Sequence, residues 1–455
     1  MGKVQHVLAE SGLPTLLSSC LDTKLLCAQR FVRMFAYGGS TLMLAAHLSN
    51  LGNSDRRIGL FMTLTLFGDI AISLVLTLFA DRLGRRMILL VGSLMMTISG
   101  FVFATSESFA ILLIASVFGV ISPSGDEVGP FRAVEESTVA HLTPDAARFD
   151  VFAWYTLLGI AGQAIGALVT GWVTSLLLSN DVTIVEAYKT IFYGYGAIGA
   201  VKLVLTYLMS SRVEAIKPTR QTTRPSGFLP RFRKETVTLT IQLSILFGID
   251  NFASGLVSFS WITYYFQRKF GISEGDLGTL FSVATAVSAV SVLFASAIAK
   301  RLGNVKTMAF THLPSTVAVM FIPMPSSLSA SVILLFLRNS CKSMDTAPRA
   351  ALLAAIIPSD ERTAVNGIAN VVKTVGQSFG PLATGALSTA GHFGVAFVLA
   401  GALKIGYDLT FLFMFAHKEK AMMERQKEIA ERDDAARGLL DDEEGTSQRG
   451  SMEGH

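Results

Sequence analysis

Gly162-Gln163-Ala164-Ile165-Gly166, with Thr170-Gly171 close behind, returns 214 residues later as Gly376-Gln377-Ser378-Phe379-Gly380 with Thr384-Gly385, in the same order and spacing. Each copy lies inside a long apolar run. Pro144 and Arg148 return at Pro358 and Arg362 on the same offset, an agreement that hydrophobicity alone does not produce. The chain therefore reads as two copies of one half.

Composition sets both copies in a membrane. Hydrophobic residues make up 51% of the 455 and charged residues only 16%, with a mean hydropathy of +0.50, so lipid must cover much of the surface. Apolar runs of about 20 residues suit a hydrocarbon core about 30 Å thick at about 1.5 Å per helical residue, and about a dozen are present. They lie near 25–49, 58–80, 87–105, 109–131, 150–176 and 188–210, then 237–265, 276–299, 306–323, 328–351, 363–389 and 393–416. These runs are too long and too evenly apolar for the alternating strands of an outer-membrane barrel. The expected fold is an all-α membrane protein of 12 transmembrane helices in two pseudo-symmetric six-helix bundles.

Polar stretches divide the chain. Residues 1–24 are expected to form an N-terminal cytoplasmic segment, 25–210 the first bundle, 211–236 a cytoplasmic linker, 237–416 the second bundle and 417–455 a cytoplasmic tail. The linker carries Arg212, Lys217, Arg220, Arg224, Arg231, Arg233 and Lys234, and Lys and Arg accumulate on the cytoplasmic side. The same rule places Arg82, Arg85, Arg86, Lys300, Arg301 and Lys306 inside, with both termini. Arg56 and Arg57 go against it, but the bias is summed over the chain. After Lys418 the composition suits a solvated terminus, with a short surface helix at its start. The plasma membrane is the default location.

Other classes find no support. A dispersed net charge of +4 does not call for nucleic acid. Cys20, Cys27 and Cys341 lack ligand-like spacing, and His47, His312 and His392 do not cluster, so no disulfide, metal site or histidine relay is expected. The start shows no cleavable signal pattern, and His6 stands where a myristoylation site wants Ser or Thr. No Gly-rich phosphate loop followed by Lys-Ser or Lys-Thr occurs, so ATP is not expected to drive the protein. Neither a cofactor nor enzymatic activity is expected.

Between spans 2 and 3 stands Asp81-Arg82-Leu83-Gly84-Arg85-Arg86, and between spans 8 and 9 Lys300-Arg301-Leu302-Gly303-Asn304-Val305-Lys306. A short loop needs a Gly for its turn, basic residues that stay cytoplasmic, and an acid that accepts from groups at helix ends. Here the chain resembles the major facilitator superfamily, whose inter-span signature ends in D-R-x-G-R-R/K. Span count, central loop and half-to-half repeat extend the resemblance over nearly the whole chain. Thr77 replaces a Gly of the signature, and Lys300 replaces the Asp in the second copy. The resemblance therefore assigns a gating latch to Asp81, Arg82, Gly84 and Arg85, and implies two bundles rocking about a central site.

Gly162, Gly166 and Gly171 fall in span 5, and Gly376, Gly380 and Gly385 in span 11. Small residues at four-residue spacing let another helix approach closely. The first set is similar to the family's antiporter motif, G-x-x-x-G-P-x-x-G-G, with Ala167 for the Pro and Thr170 for a Gly. Span 11 keeps the Pro, at Pro381. The likeness points to export; tight packing alone is the alternative.

A charge facing lipid costs on the order of a few kcal/mol, so charged residues within spans should face protein or a wet path. Arg33 lies in span 1, Asp126, Glu127, Arg132, Glu135 and Glu136 in or just beyond span 4, Asp250 in span 7, and Arg338, Lys342, Asp345 and Arg349 in span 10. The resemblance makes these four spans the lining of the central cavity. Arg33 matches Asp250 on an offset of 217, and the two either attract across the halves or pair within their own. Gly125 to Arg132 interrupts its helix and sets two adjacent carboxylates where a proton carrier would stand. Asp126 or Glu127 is expected to titrate, with Arg132 or Arg349 restraining the carboxylates or meeting an anion, and Glu135 and Glu136 at the interface. Tyr37, Asn251, Asn370 and Lys373 are substrate candidates, with Trp261, Tyr264 and Asn366 beside them.

The combined expectation is a secondary transporter that moves a small-molecule substrate by alternating access, with proton-coupled export (antiport) first. Uptake or exchange of an anionic solute such as phosphate or an organic acid is the alternative, on the arginines of spans 4 and 10. A non-transporting receptor on the same scaffold is the third reading. Protons and the lipid bilayer complete the expected partners of a monomer.

Overall fold

The computed structural model describes residues 12–119, 121–124, 130–214, 232–358, 361–417 and 419, and among these no strand occurs. Spans 1, 2, 3, 5 and 6 are Leu21–Asn50, Asp55–Leu83, Arg85–Thr105, Asp145–Ser179 and Ile184–Tyr207. Spans 8, 9, 11 and 12 are Glu274–Leu302, Asn304–Phe321, Arg362–Thr389 and Phe393–His417. Spans 4, 7 and 10 are each broken into two helices: Phe109–Gly119 and Pro130–Leu142, Lys234–Leu256 and Phe259–Phe270, Leu328–Cys341 and Thr346–Ile356. Twelve spans in two six-helix bundles result. Span 1 begins and span 12 ends on the same side, the terminal end; the loops after the odd-numbered spans form the distal end.

A helix broken at membrane depth frees backbone groups that must find partners in protein. The breaks of spans 4 and 7 serve each other: Ser260 donates its N–H to the Pro123 carbonyl at 3.3 Å and its hydroxyl to the Thr41 carbonyl of span 1 at 2.8 Å. Two irregular stretches thus meet at the centre.

The repeated Pro and Arg have a shared physical cause. Pro144 stands at the start of span 5, where its missing N–H loses nothing. Arg148 then reaches back eight residues to the Ala140 carbonyl at 3.3 Å, and Arg362 to the Ala354 carbonyl at 2.6 Å. Each guanidinium caps carbonyls that the preceding helix leaves without partners.

The repeated glycines act in two ways. A Cβ on Gly162 would lie 2.5 Å from the Phe31 carbonyl oxygen, and one on Gly376 would lie 2.6 Å from that of Gly248; Gly166 and Gly380 are tighter still, against Phe35 and Gly255. They bring span 5 onto span 1 and span 11 onto span 7. The third glycine of each set turns to the other bundle. Gly171 meets Gly278 of span 8, and Gly385 meets Gly59 of span 2. Two glycine seams, related by the repeat, therefore join the halves.

Candidate transport site

In the first half the charges close on themselves. Glu135 is fully buried, with Arg33 at 2.5 Å, Lys202 of span 6 at 3.2 Å and the Tyr155 hydroxyl of span 5 donating at 2.8 Å. Arg30 adds a cation 5.0 Å from the centre of the Tyr155 ring. Glu135 therefore sits at a buried hub rather than at the interface where the sequence placed it. Burial of that carboxylate is tolerable only because two cations and a hydroxyl replace its water.

In the second half the charges border open space. Asp250 accepts from Lys404 of span 12 at 2.6 Å and lies 3.7 Å from Arg349, which also pairs with Asp345 one helical turn away. These groups line a cavity of about 450 Å³ between the bundles, together with Asn251, Arg338, Lys342 and Lys373. The repeated Gln163 and Gln377 face it from opposite halves. Lys373 holds its ammonium 4.3 Å from the Phe247 ring centre, a cation–π contact, and makes no ion pair among the described residues. Among the described residues, five cationic side chains against two carboxylates line it.

Arg33 and Asp250 thus each have a pairing partner within their own half. Positions 33 and 135 carry Arg and Glu; their repeat equivalents, 250 and 349, carry Asp and Arg. The same framework has been wired with opposite polarity.

Above the cavity the halves are stitched at the distal end. Asp55 accepts from Arg268 at 2.5 Å, from Ser388 at 2.6 Å and from Tyr264 at 3.1 Å, while Glu274 accepts from Tyr188 at 3.3 Å. Trp172 donates to Thr279 at 2.9 Å across the span 5 and span 8 seam. At the terminal end the bonds among the described residues stay within each half. Gly84 takes a φ of 85°, and Glu214, just past span 6, accepts from the N–H groups of Arg85 and Arg86 at 2.8 and 3.3 Å. The second copy repeats this geometry: Gly303 at φ 84°, with Glu419 past span 12 accepting from Asn304 and Val305 at 2.6 and 2.9 Å. A carboxylate at a helix N-terminus satisfies both the free N–H groups and the dipole.

Not every expected residue reaches the site. Asp126 and Glu127 lie outside the described residues, as do the side chains of Asp81 and Arg82. Arg132 is half exposed and pairs with Glu136 at 2.7 Å, one turn along its own helix, so it does not join the cavity. Asn370 is exposed. Tyr37 is buried 3.3 Å from the Ser124 hydroxyl. Trp261 packs within an aromatic group with Tyr264 and Phe393, and Tyr264 belongs to the distal stitching. Sequence reasoning missed Lys202, Lys404, Asp408 and Asp69. The last is a buried acid in span 2 with one oxygen lacking a partner. A charge within an apolar span was the available signal for all four. His312, given no partner from sequence, lies 2.8 Å from Asp408.

The comparisons with known proteins agree with this architecture. The chain is 36% identical over 420 residues to the uncharacterized membrane protein YJR124C of Saccharomyces cerevisiae, covering 87% of this chain and 94% of that protein. It is 24% identical over 186 residues to the quinolone resistance protein NorA of Staphylococcus aureus, covering 41% of this chain and 42% of NorA. Its fold superposes with a TM-score of 0.68 on a bacterial homologue of the human lysosomal transporter Spinster, at 14% identity over 87% of this chain and 96% of that one. The profile of the Major Facilitator Superfamily matches residues 26–335 and 243–440, and with two pseudo-symmetric bundles around one polar cavity the chain belongs to that superfamily of membrane transporters.

Proposed function

We propose that the protein carries a small organic or inorganic anion through the central cavity by alternating access, with protons as the coupling ion. The excess of cations among the described lining residues supports this reading. Lys373 is its sharpest element, because a cation partly buried beside an aromatic face and without an acid partner gains most from an incoming anionic group. The terminal end is taken as cytoplasmic by the distribution of Lys and Arg, so a cavity stitched shut distally would face the cytoplasm. The plasma membrane and a monomeric state remain part of the proposal.

A second reading, proton-coupled export, is favoured by the glycine spacing of span 5 and by the partial similarity to NorA. A thermal-stability screen of the purified protein with anionic, neutral and cationic solutes at two pH values separates the two. Stabilisation by anions, lost in Lys373→Gln, supports anion transport. Stabilisation confined to neutral or cationic solutes overturns it, and drug sensitivity after gene deletion then supports export. Counterflow of labelled phosphate or an organic acid in proteoliposomes measures transport directly.

A further inference from the structure

Asp250 and Asp345 are held by fixed cations, Lys404 and Arg349. Asp408 is not. It is buried in span 12, its Oδ1 lies 2.8 Å from Nδ1 of His312 in span 9, and its Oδ2 has no partner. Among the described residues, the His312 imidazole is the sole basic group within ion-pair distance of it. A bare carboxylate at that depth is costly, so the pair is stabilised by one proton beyond those of a neutral imidazole and a free carboxylate. The His312 imidazole, at hydrogen-bond distance from Oδ1, is placed to share that proton. His312 also lines the cavity, so water can deliver the proton and remove it.

We propose that the His312–Asp408 pair is the binding site of the coupling proton, and that proton and anion bind together. This rests on the reading of the protein as an anion transporter. The balance is simple: a proton from cavity water joins the neutral imidazole, giving an imidazolium–carboxylate pair with no net charge. Loss of that proton on the opposite side leaves Asp408 uncompensated.

The link to the anion is geometric. Asp408 stands one helical turn from Lys404, on the same face of span 12. An uncompensated Asp408 adds negative charge beside Lys404, in the region that an anionic solute would enter. Span 7 presents Asp250 to this region, and span 10 presents Asp345 and Arg349. Arg338 and Lys342 of span 10 and Lys373 of span 11 line the same cavity, while the described part of span 8 offers the neutral Ser288. Tyr407 of span 12 sets its ring edge-on to the imidazole at 6.4 Å. None of these other groups gives Asp408 an ion pair.

Two measurements test the pair, one of them independent of transport. In full-length protein labelled with ¹⁵N-histidine, one of seven histidines should be an imidazolium at neutral pH, vanish in His312→Gln and become neutral imidazole in Asp408→Asn. In proteoliposomes with inorganic phosphate as the probe anion, His312→Gln should keep counterflow, lose accumulation driven by a pH gradient, and raise the half-saturating phosphate concentration about tenfold, within the usual range of coupling between sites. Asp408→Asn should lose the gradient-driven accumulation without that rise. A neutral His312 in the wild type, or gradient-driven accumulation unchanged in both variants, overturns the proposal. If the wild type moves no phosphate by either route, phosphate transport fails, and the histidine spectra alone decide the pair.

Discussion

The two halves place charges at equivalent positions and use them differently. Around Glu135 the side chains are sealed: Glu135 is 0% exposed and Lys202 2%. Around Asp250 they meet the cavity, with Lys404 at 11% and Arg349 at 16%. Equal pairing energies do not follow from equal geometry, because water can solvate what one partner leaves behind only in the second cluster. The first half supplies a fixed wall; the second supplies groups that can change partners.

The sharpest way to break this comparison is to neutralise each hub. Glu135→Gln should lower unfolding stability by about 3–5 kcal/mol, since it strands two buried cations. Asp250→Asn should cost about 1–3 kcal/mol, the scale of a charged hydrogen bond, while abolishing transport. Thermal denaturation in detergent measures both, and equal losses would mean that the two clusters are alike.

Over-filling the seams comes next. Gly171→Leu and Gly385→Leu each force a side chain against the facing glycine helix. A loss of about 1–3 kcal/mol is expected, together with a wider distal separation of the bundles in spin-label distance measurements. Asp55→Asn removes the ionic part of the stitching at a half-exposed arginine, so about 1 kcal/mol or less should be lost. Even that shifts a two-state equilibrium about fivefold, visible as a larger share of distally open molecules. Smallest of all, an Arg33→Asp, Asp250→Arg exchange should show a coupling energy below about 0.5 kcal/mol in a double-mutant cycle, as separate sites do. A larger value would restore an attraction across the axis.

The repeat and the apolar runs made the two bundles legible from sequence because spanning lipid constrains length and hydrophobicity directly. Charges on spans 1, 7 and 10 were legible for the same reason: Arg33, Asp250 and Arg349 have nowhere cheap to go except inward. Which partner each would choose was not. Lys202 and Lys404 come from spans 6 and 12, and their reach depends on helix rotation, which no local pattern encodes. Glu135 misled because the span was expected to end near residue 131, yet its second helix runs on to Leu142 and carries Glu135 within it. Glu419 stood in a stretch expected to be a solvated tail, and it is buried against the turn between spans 8 and 9.

The carboxylates of Glu214 and Glu419 have a consequence for how the protein is put together. Each pins the end of its sixth helix to the turn between the second and third, so each bundle is laced shut without help from the other. Halves made from two messages, with the cut between Glu214 and Arg233, are each expected to keep this lacing, at Gly84 in the first and at Gly303 in the second.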